Sequence, residues 1–191
     1  PSLDQVRRLP ARMVAIFEDI TDLGLSGWFL FPTALAMLVI AAVDRASAPR
    51  FVRSTLGALA VRFGFVFTAV AVPGLFVAIV KRLIGRARPP NEGVWTYVLF
   101  DFRHDYASMP SGHATNMFAF ATVIGMLWPR GRVLLYTLAA WIAASRVLIG
   151  QHYVTDVVLG AILGTAFPYW VRDRFAARRW LFERTPDGGY R

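Results

Sequence analysis

The sequence contains no cysteine, and this absence removes several classes of site at the outset. Disulfide bridges, zinc–thiolate centres, iron–sulfur clusters and cysteine nucleophiles all require thiols, so none of them can form within this chain. Charged residues are also scarce, at 17% of 191 residues, against about 25% in ordinary soluble domains. Apolar residues make up 56% of the chain, so a large soluble core is a weaker interpretation than a membrane protein.

The apolar residues concentrate in five long stretches, at 23–43, 63–80, 109–129, 133–151 and 153–171. Each is close to the roughly 20 residues that a helix needs to cross the hydrocarbon core of a bilayer. The sequence therefore predicts an all-α, multi-span transmembrane helical bundle, with residues 1–191 forming one domain. The last three stretches contain His113, Arg146 and Asp156, respectively, as their only ionisable residue. Ionisable groups at membrane depth are costly and indicate a functional site.

Residues 1–22, ahead of the first stretch, have a different pattern. Met13, Ile16, Phe17 and Ile20 recur at helical spacing, while charged side chains fall on the other faces. This pattern predicts an amphipathic helix that lies in the membrane interface. An ordinary helix packed on the bundle is the alternative.

Acidic residues are few, with 12 against 21 basic ones, and the formal net charge is +9. Basic chains can bind nucleic acid, but here the basic residues fall mostly between the apolar stretches. That placement favours anionic lipid and a phosphorylated substrate. We therefore expect the lipid bilayer and a phosphorylated membrane lipid as partners, and no nucleic acid. The pattern does not indicate an oligomeric state.

Five spans would divide the 21 lysines and arginines into 12 on one side of the membrane and nine on the other. The positive-inside rule places the richer side, which includes the C-terminal tail, in the cytoplasm. We expect an integral protein of a bacterial inner membrane. The less basic side would then face the periplasm or the exterior.

Three polar clusters fall together on that less basic side, at 81–89, 110–113 and 145–156. Phosphoryl transfer requires groups that neutralise the negative charge on the phosphate oxygens. The positive charges of Lys81, Arg88 and Arg146 can do this. Ser111 and Gly112 precede a helix, whose free N–H groups and dipole favour an anion. The clusters therefore predict a phosphate-binding site.

The same clusters contain candidates for the chemical step. His152 and Asp156 are four residues apart and would share a helix face. A carboxylate on one imidazole nitrogen fixes the tautomer, so that the other nitrogen can attack phosphorus. His113 is placed to protonate the leaving alcohol. Taken singly, these residues have ordinary explanations: basic residues snorkel to the interface, and a His–Asp pair can be structural.

Taken together, the clusters resemble the type 2 phosphatidic acid phosphatase (PAP2) superfamily, whose pattern is K-x6-RP, PSGH and SR-x5-H-x3-D. Eleven positions match in order and spacing: Lys81, Arg88, Pro89, Pro110, Ser111, Gly112, His113, Ser145, Arg146, His152 and Asp156. The resemblance implies a helical bundle, a phosphohistidine intermediate on His152 and no metal or other cofactor. Membrane members of the family often have six spans, and five are visible here.

The resemblance implies hydrolysis of a lipid phosphomonoester or diphosphate at the extracytoplasmic surface. The candidate substrates are phosphatidic acid, phosphatidylglycerophosphate and undecaprenyl diphosphate. A lipid A phosphatase or a lipid phosphotransferase is the alternative within the class. A non-enzymatic lipid transporter or scaffold is the alternative outside it, and the intact His113, His152 and Asp156 argue against that.

Overall fold

The computed structural model describes residues 10–44, 47–89, 93, 95–185 and 187–190. Six α-helices occur in these residues: α1 (Ala11–Asp22), α2 (Gly27–Ala42), α3 (Arg50–Ile84), α4 (Gly112–Leu127), α5 (Arg132–Leu148) and α6 (Val154–Ala177). Two 3-10 turns, His104–Tyr106 and Pro129–Gly131, lie between them. Within the described residues, β-pairing is limited to isolated bridges, and the predicted all-α class is confirmed.

Helices occupy all five apolar stretches, and in the described part of the chain four segments are long and apolar enough to cross a membrane: Ala15–Ala42, Arg50–Ile84, Pro129–Leu148 and Val154–Ala177. The first of these joins the end of α1 to α2. The remaining stretch, 109–129, contains helix α4, whose 16 residues fall short of the roughly 20 that a helix needs to cross the hydrocarbon core. Helix α3 is much longer than predicted, because its first turns contain Arg50, Arg53 and Arg62. The predicted stretch, 63–80, is the uncharged part of this helix. The charged turns can still belong to a membrane helix, because arginine side chains snorkel to the interface.

Helix α4 forms the centre of the bundle and contacts α3, α5 and α6. Its packing on α6 depends on two glycines one helical turn apart. A Cβ at Gly160 would lie 2.6 Å from the carbonyl oxygen of Ser111, and one at Gly164 would collide with the backbone of Thr115. Small residues at this spacing let membrane helices approach closely. The glycines therefore bring the start of α6 against the start of α4.

Helix α2 lies on the outside of the bundle. Trp28, Phe31, Leu35 and Leu38 are each more than 60% exposed. A continuous apolar face of this kind indicates contact with lipid, because soluble monomers rarely expose one. The integral-membrane character predicted from the sequence is thus present in the fold.

Helix α1 packs against the bundle through one face. Ile20 contacts the apolar cluster that α4 and α5 share and Thr21 is fully buried, whereas Ile16, one turn before Ile20, is 50% exposed. One face of α1 is thus packed on the bundle, as the alternative interpretation of residues 1–22 expected. The location of α1 in the membrane interface stays a prediction. The side chain of Met13, and Arg7, Arg8, Arg45 and Arg191 of the charge count, lie outside the described residues.

The bundle has two ends. The site end contains the end of α3, the start of α4, the end of α5, the start of α6 and the α1–α2 turn, with residues 85–111 connecting α3 to α4. The opposite end contains the α2–α3 and α4–α5 connections and the C-terminal segment. All three predicted polar clusters lie at the site end.

Candidate active site

The Asp156 side chain accepts hydrogen bonds on both carboxylate oxygens at the site end. It is fully buried. Its Oδ1 accepts a hydrogen bond from Arg86 Nη1 at 2.5 Å, and its Oδ2 accepts bonds from Ser108 Oγ at 2.6 Å and the Tyr153 backbone N–H at 2.9 Å. The bond from Tyr153 also caps the first turn of α6. The carboxylate is therefore held in one position, and the Arg86 guanidinium compensates its charge.

His152 lies beside this carboxylate, in the short connection between α5 and α6, and is 4% exposed. Its Nδ1 is 3.7 Å from Asp156 Oδ2, which is too far for a hydrogen bond and close enough for strong electrostatic attraction. Burial lowers the pKa of His152 to about 4, although the Asp156 carboxylate opposes that shift. The imidazole is therefore neutral near pH 7, with Nδ1 toward the acid and Nε2 on the opposite edge of the ring.

Sequence reasoning missed Arg86, which is 3% exposed. Besides Asp156, its guanidinium donates to Thr155 Oγ1 at 2.7 Å and stacks 4.3 Å from the Tyr153 ring centre. Its position inside the K-x6-RP element could have revealed it. A buried arginine is favoured beside a carboxylate, and Asp156 is the only acid in the two matched elements that follow.

Arg88 is held by the chain around it and is 5% exposed. Its Nε donates to the His104 carbonyl at 3.0 Å, and its Nη1 donates to Gln151 Oε1 at 2.7 Å. The chain reaches this position after a left-handed turn at Gly85, where φ is 60° and a Cβ would collide with the carbonyl of Val98. The glycine turn thus directs Arg88 back over the site.

His104, to which the sequence assigns no role, lies next to this guanidinium. The positive charge of Arg88, followed by partial burial, lowers the pKa of His104. The imidazole is therefore neutral at neutral pH, and it adds no charge to the site. Its described contribution is the backbone carbonyl that orients Arg88.

The start of α4 faces the same space. Ser111 is fully buried and its backbone N–H donates to the Asp156 carbonyl at 3.0 Å. Its Oγ is buried and has no hydrogen-bond partner among the described residues. The N–H groups of the first helical turn have no acceptor within the helix. An anion placed here could accept from both the hydroxyl and these amides.

His113 follows in the first turn of α4, and its basic neighbours are Arg146, Arg88 and Lys81, with the His152 ring also nearby. The α1–α2 turn packs directly on its ring, because a Cβ at Gly24 would lie 2.9 Å from His113 Cδ2. The ring is therefore confined between that turn and the cluster of basic groups.

Arg146 reaches this cluster from the end of α5. Its Nη1 donates to Thr21 Oγ1 at 3.0 Å. Its Nε is buried without a partner among the described residues. One edge of the guanidinium is thus anchored by the N-terminal segment, and another is available to a ligand.

Lys81 connects the site to an apolar crevice of about 430 Å³ between α2 and α3. Leu30 of α2 and Leu75 of α3 line its walls, and Gly112 and Asn116 of α4 line its floor. Because Lys81 and Gly112 belong to both spaces, the crevice leads from the lipid-facing side of the bundle to the start of α4.

The eight residues predicted for the site are therefore brought together at one end of the bundle: Lys81, Arg88, Ser111, Gly112, His113, Arg146, His152 and Asp156. Within the part of the chain that the structure describes, no three His, Asp or Glu residues are grouped as a metal ion would require. The site residues are mostly donors, which suits a multiply charged anion.

Comparison with known proteins agrees with this geometry. The family model of the PAP2 superfamily matches residues 62–180, more than half of the chain. The chain is similar to a lipid A 1-phosphatase of Rhizobium johnstonii, with 32% identity over 190 residues, which cover 95% of this chain and 75% of that protein. It is also similar to a decaprenylphosphoryl-5-phosphoribose phosphatase of Mycobacterium tuberculosis, with 37% identity over 100 residues, 50% of this chain and 54% of that protein.

Two solved structures share the fold. Aquifex aeolicus LpxE aligns with a TM-score of 0.61 and 20% identity, covering 88% of this chain and 90% of that one. A PAP2-type phosphatidylglycerolphosphate phosphatase of Bacillus subtilis aligns with a TM-score of 0.59 and 22% identity, covering 91% and 82%. The chain therefore belongs to the PAP2 superfamily, as its residue pattern predicted, and is an integral-membrane phosphatase of that family.

Proposed function

We propose that this protein hydrolyses the 1-phosphate of lipid A, without a metal ion, through a phosphohistidine intermediate on His152. The observation that carries the proposal is a buried, neutral imidazole with a fixed carboxylate on its Nδ1 side. Arg88 and Arg146 lie near the imidazole. Such an arrangement leaves Nε2 as a nucleophile that acquires positive charge in the reaction while Asp156 stabilises it.

In the first step, His152 Nε2 attacks phosphorus and forms a P–N bond while the P–O bond to the lipid breaks. The leaving oxygen takes a proton, which His113 donates as the imidazolium, a form that the negative charge of the bound phosphate stabilises against the surrounding basic groups. In the second step, His113, now neutral, accepts a proton from water. The water oxygen attacks phosphorus, the P–N bond breaks, and inorganic phosphate leaves. Both imidazoles return to their starting protonation states.

The phosphate oxygens would be held by Lys81, Arg88, Arg146, Ser111 Oγ and the first amides of α4. Two of these groups, Ser111 Oγ and Arg146 Nε, are buried with no protein partner among the described residues. A buried donor left without a partner is costly, and a phosphate oxygen would satisfy both. Each such donor can contribute about 3–4 kcal/mol to transition-state stabilisation.

A lipid substrate is supported by the crevice between α2 and α3. Its walls are mostly apolar, Leu75 in one wall is 64% exposed, and the crevice ends at Lys81 and Gly112. An acyl chain lying there would place the headgroup at the start of α4. Lipid A is the substrate we favour because two lipid A 1-phosphatases align over more than nine-tenths of this chain.

A substrate panel tests this proposal. Purified protein would be assayed for phosphate release from lipid A, phosphatidic acid, phosphatidylglycerophosphate and undecaprenyl diphosphate, with His152→Ala as the inactive control. We expect the highest kcat/KM with lipid A and loss of its 1-phosphate in the product. Release from another lipid alone would overturn the substrate assignment, and transfer of the phosphate to an acceptor lipid would identify a phosphotransferase.

Metal independence has a separate test. Activity should survive EDTA, and vanadate should inhibit because it mimics five-coordinate phosphorus. Abolition by EDTA with recovery on addition of one divalent ion would contradict the proposed chemistry.

We further propose that the site end faces the periplasm or exterior of a bacterial inner membrane. Since the chain has no cysteine, single cysteines at Trp95 and Thr185 can be labelled without background. An impermeant thiol reagent should label Trp95→Cys, and leave Thr185→Cys unlabelled, in spheroplasts. The opposite pattern would place the site in the cytoplasm.

A further inference from the structure

The end of the bundle opposite the active site contains a second polar pocket, with a volume of about 400 Å³. Its polar side chains come from Thr122, Arg132, Tyr169, Arg172 and Tyr190. None of these residues belongs to the three phosphatase motifs, and the proposed hydrolysis gives them no role. Two guanidinium groups on one cavity indicate an anionic ligand.

The two arginines come from different helices and are oriented by the same tyrosine. Arg132, the first residue of α5, donates from Nη2 to Tyr169 OH at 3.1 Å. Arg172, near the end of α6, lies 4.9 Å from the centre of the Tyr169 ring and 3.7 Å from that of Tyr190. Stacking fixes the plane of a guanidinium while leaving its edge able to donate hydrogen bonds.

The balance of charge in the pocket is positive. Asp173 Oδ1 accepts bonds from Arg172 Nε and Nη2 and from Tyr190 OH, so one carboxylate faces two guanidinium groups. Tyr169 occupies one of the several N–H donors on Arg132. The Arg132 guanidinium can therefore bond a further acceptor.

The folded C-terminal segment builds one wall of this pocket. Phe182 is 8% exposed and packs in an apolar cluster with Phe65 and Phe175. An isolated β-bridge between Arg184 and Tyr190 then returns the chain over α6, so that Tyr190 covers Arg172. The wall is thus anchored in the bundle core.

The surroundings of the pocket identify the kind of anion. Trp128, Trp170 and Trp180, each about half exposed at this end, resemble the aromatic belt of a membrane–water boundary. Met126 and Phe182 supply an apolar part of the lining. The volume is many times the roughly 30 Å³ that one water occupies in the liquid. A headgroup with its glycerol therefore matches the pocket better than a single small ion.

We propose that this pocket binds the phosphate headgroup of an anionic glycerophospholipid from the leaflet at this end of the bundle. The phosphate bonds to Arg132 and to Nη1 of Arg172, because Asp173 accepts from Arg172 Nε and Nη2. The glycerol and the first acyl carbons lie against the apolar lining. This ligand is a phosphodiester that the protein binds without hydrolysing. The site is independent of the substrate proposed for the active site.

Native mass spectrometry of the purified protein tests this site. The protein would be titrated with dioleoylphosphatidylglycerol and, for comparison, dioleoylphosphatidylcholine, which has the same acyl chains and no net charge. We expect a bound phosphatidylglycerol whose affinity falls about tenfold in Arg132→Gln and in Arg172→Gln, because each loses a charged hydrogen bond. Phosphatidylcholine binding should not differ between variants. Any lipid held in the active site is common to all variants and cancels in the comparison.

Arg130→Gln and Arg178→Gln provide matched controls, since both arginines are exposed at the same end and outside the pocket lining. They should retain wild-type affinity. If the controls weaken binding as much as the pocket variants, the lipid is attracted by general surface charge and the proposal is wrong. Displacement of the lipid by inorganic phosphate at equal concentration would instead identify a free-anion site. Arg132 is exposed, so its variant keeps the test informative if Arg172→Gln misfolds.

Discussion

The two ends of the bundle both contain arginines, but they hold them in opposite ways. At the site end, Arg86 and Arg88 are 3% and 5% exposed, and they bond to Asp156 and Gln151, more than 60 residues along the chain. At the opposite end, Arg172 bonds to its sequence neighbour Asp173, and Arg130 and Arg132 are exposed.

This difference separates two uses of the same side chain. A buried arginine fixed by distant partners presents its charge in one place, in surroundings of low dielectric constant where that charge acts strongly. An exposed arginine adjusts to its ligand and is screened by water and salt. Substitutions at the site end should therefore have large effects on catalysis, and substitutions of exposed arginines at the opposite end should have small ones.

The largest difference should come from His152→Ala compared with Arg130→Gln. Loss of the proposed nucleophile should lower kcat on the order of 10⁴–10⁶-fold and remove any trapped phosphoenzyme. Arg130→Gln should retain wild-type turnover. Rapid-quench trapping with labelled substrate measures both quantities. Label found on His113, or an intermediate that persists in His152→Ala, would reverse the roles given to the two histidines.

His113→Ala tests the role of His113 as the general acid, because the effect of losing an acid depends on the leaving group. We expect a loss of about 10²–10⁴-fold for lipid A and a much smaller loss for an aryl phosphate, whose leaving group needs little protonation. Equal losses with both substrates would contradict the role of His113 as the acid.

A second contrast compares two ion pairs whose arginines lie in the same connecting segment, one with a buried arginine and one with an exposed arginine. Arg86→Gln leaves the Asp156 carboxylate buried without its guanidinium partner, which should cost about 3–5 kcal/mol of unfolding free energy and displace His152. Arg103 pairs with Asp101 while 67% exposed, and Arg103→Gln should change stability little. Thermal or denaturant unfolding in detergent measures both. Similar losses would show that burial does not distinguish the two pairs.

The sequence predicts the residues that local motifs specify, and it misses those whose roles depend on contacts between distant parts of the chain. Motif spacing predicted the eight candidate residues that the fold brings together at one end of the bundle, because each proposed chemical role demands a particular residue type at a helix end. It did not give Arg86 or Thr21, whose roles arise from contacts over 70 and 125 residues. Hydropathy located the helices but underestimated α3, whose first turns contain arginine. It could not reveal the pocket at the opposite end, which forms only when the C-terminal segment folds back.

The pH dependence of turnover tests the state of His152. Because burial lowers its pKa from the ordinary 6.5 to about 4, the imidazole should stay neutral and reactive down to about pH 5 and lose activity below that. The unfolded chain, in contrast, takes up the proton near pH 6.5. Folding stability contributed by this group is thus full above pH 6.5 and falls as the pH drops toward 4.

Asp156→Asn provides the matched variant for this pH profile. It removes the carboxylate that opposes the shift, so the acid limb of the kcat profile should move to lower pH, while kcat itself falls about 10²–10⁴-fold. An acid limb near pH 6.5 in the wild type would mean that His152 is more solvated than its burial indicates.

The smallest expected effect on catalysis comes from Thr21, in the last turn of α1. This residue lies outside residues 62–180, which the family model matches. Thr21 Oγ1 donates to the Glu18 carbonyl at 2.8 Å and accepts from Arg146 Nη1 at 3.0 Å, so it anchors a guanidinium that would contact the phosphate. Thr21→Val keeps the shape and removes the acceptor, and we expect kcat/KM to fall about tenfold, since a hydrogen bond to a charged group contributes about 1.5–3 kcal/mol. Thr21→Ser should restore activity because it retains the hydroxyl.

Thr33→Val in α2 is the structural control, because its hydroxyl bonds only to the Phe29 and Leu30 carbonyls among the described residues. If Thr21→Val and Thr33→Val lower the melting temperature and kcat/KM to the same extent, Thr21 stabilises the helix and has no part in positioning Arg146. A loss confined to Thr21→Val and reversed by serine would extend the working site beyond the matched motifs to the helix that precedes the bundle.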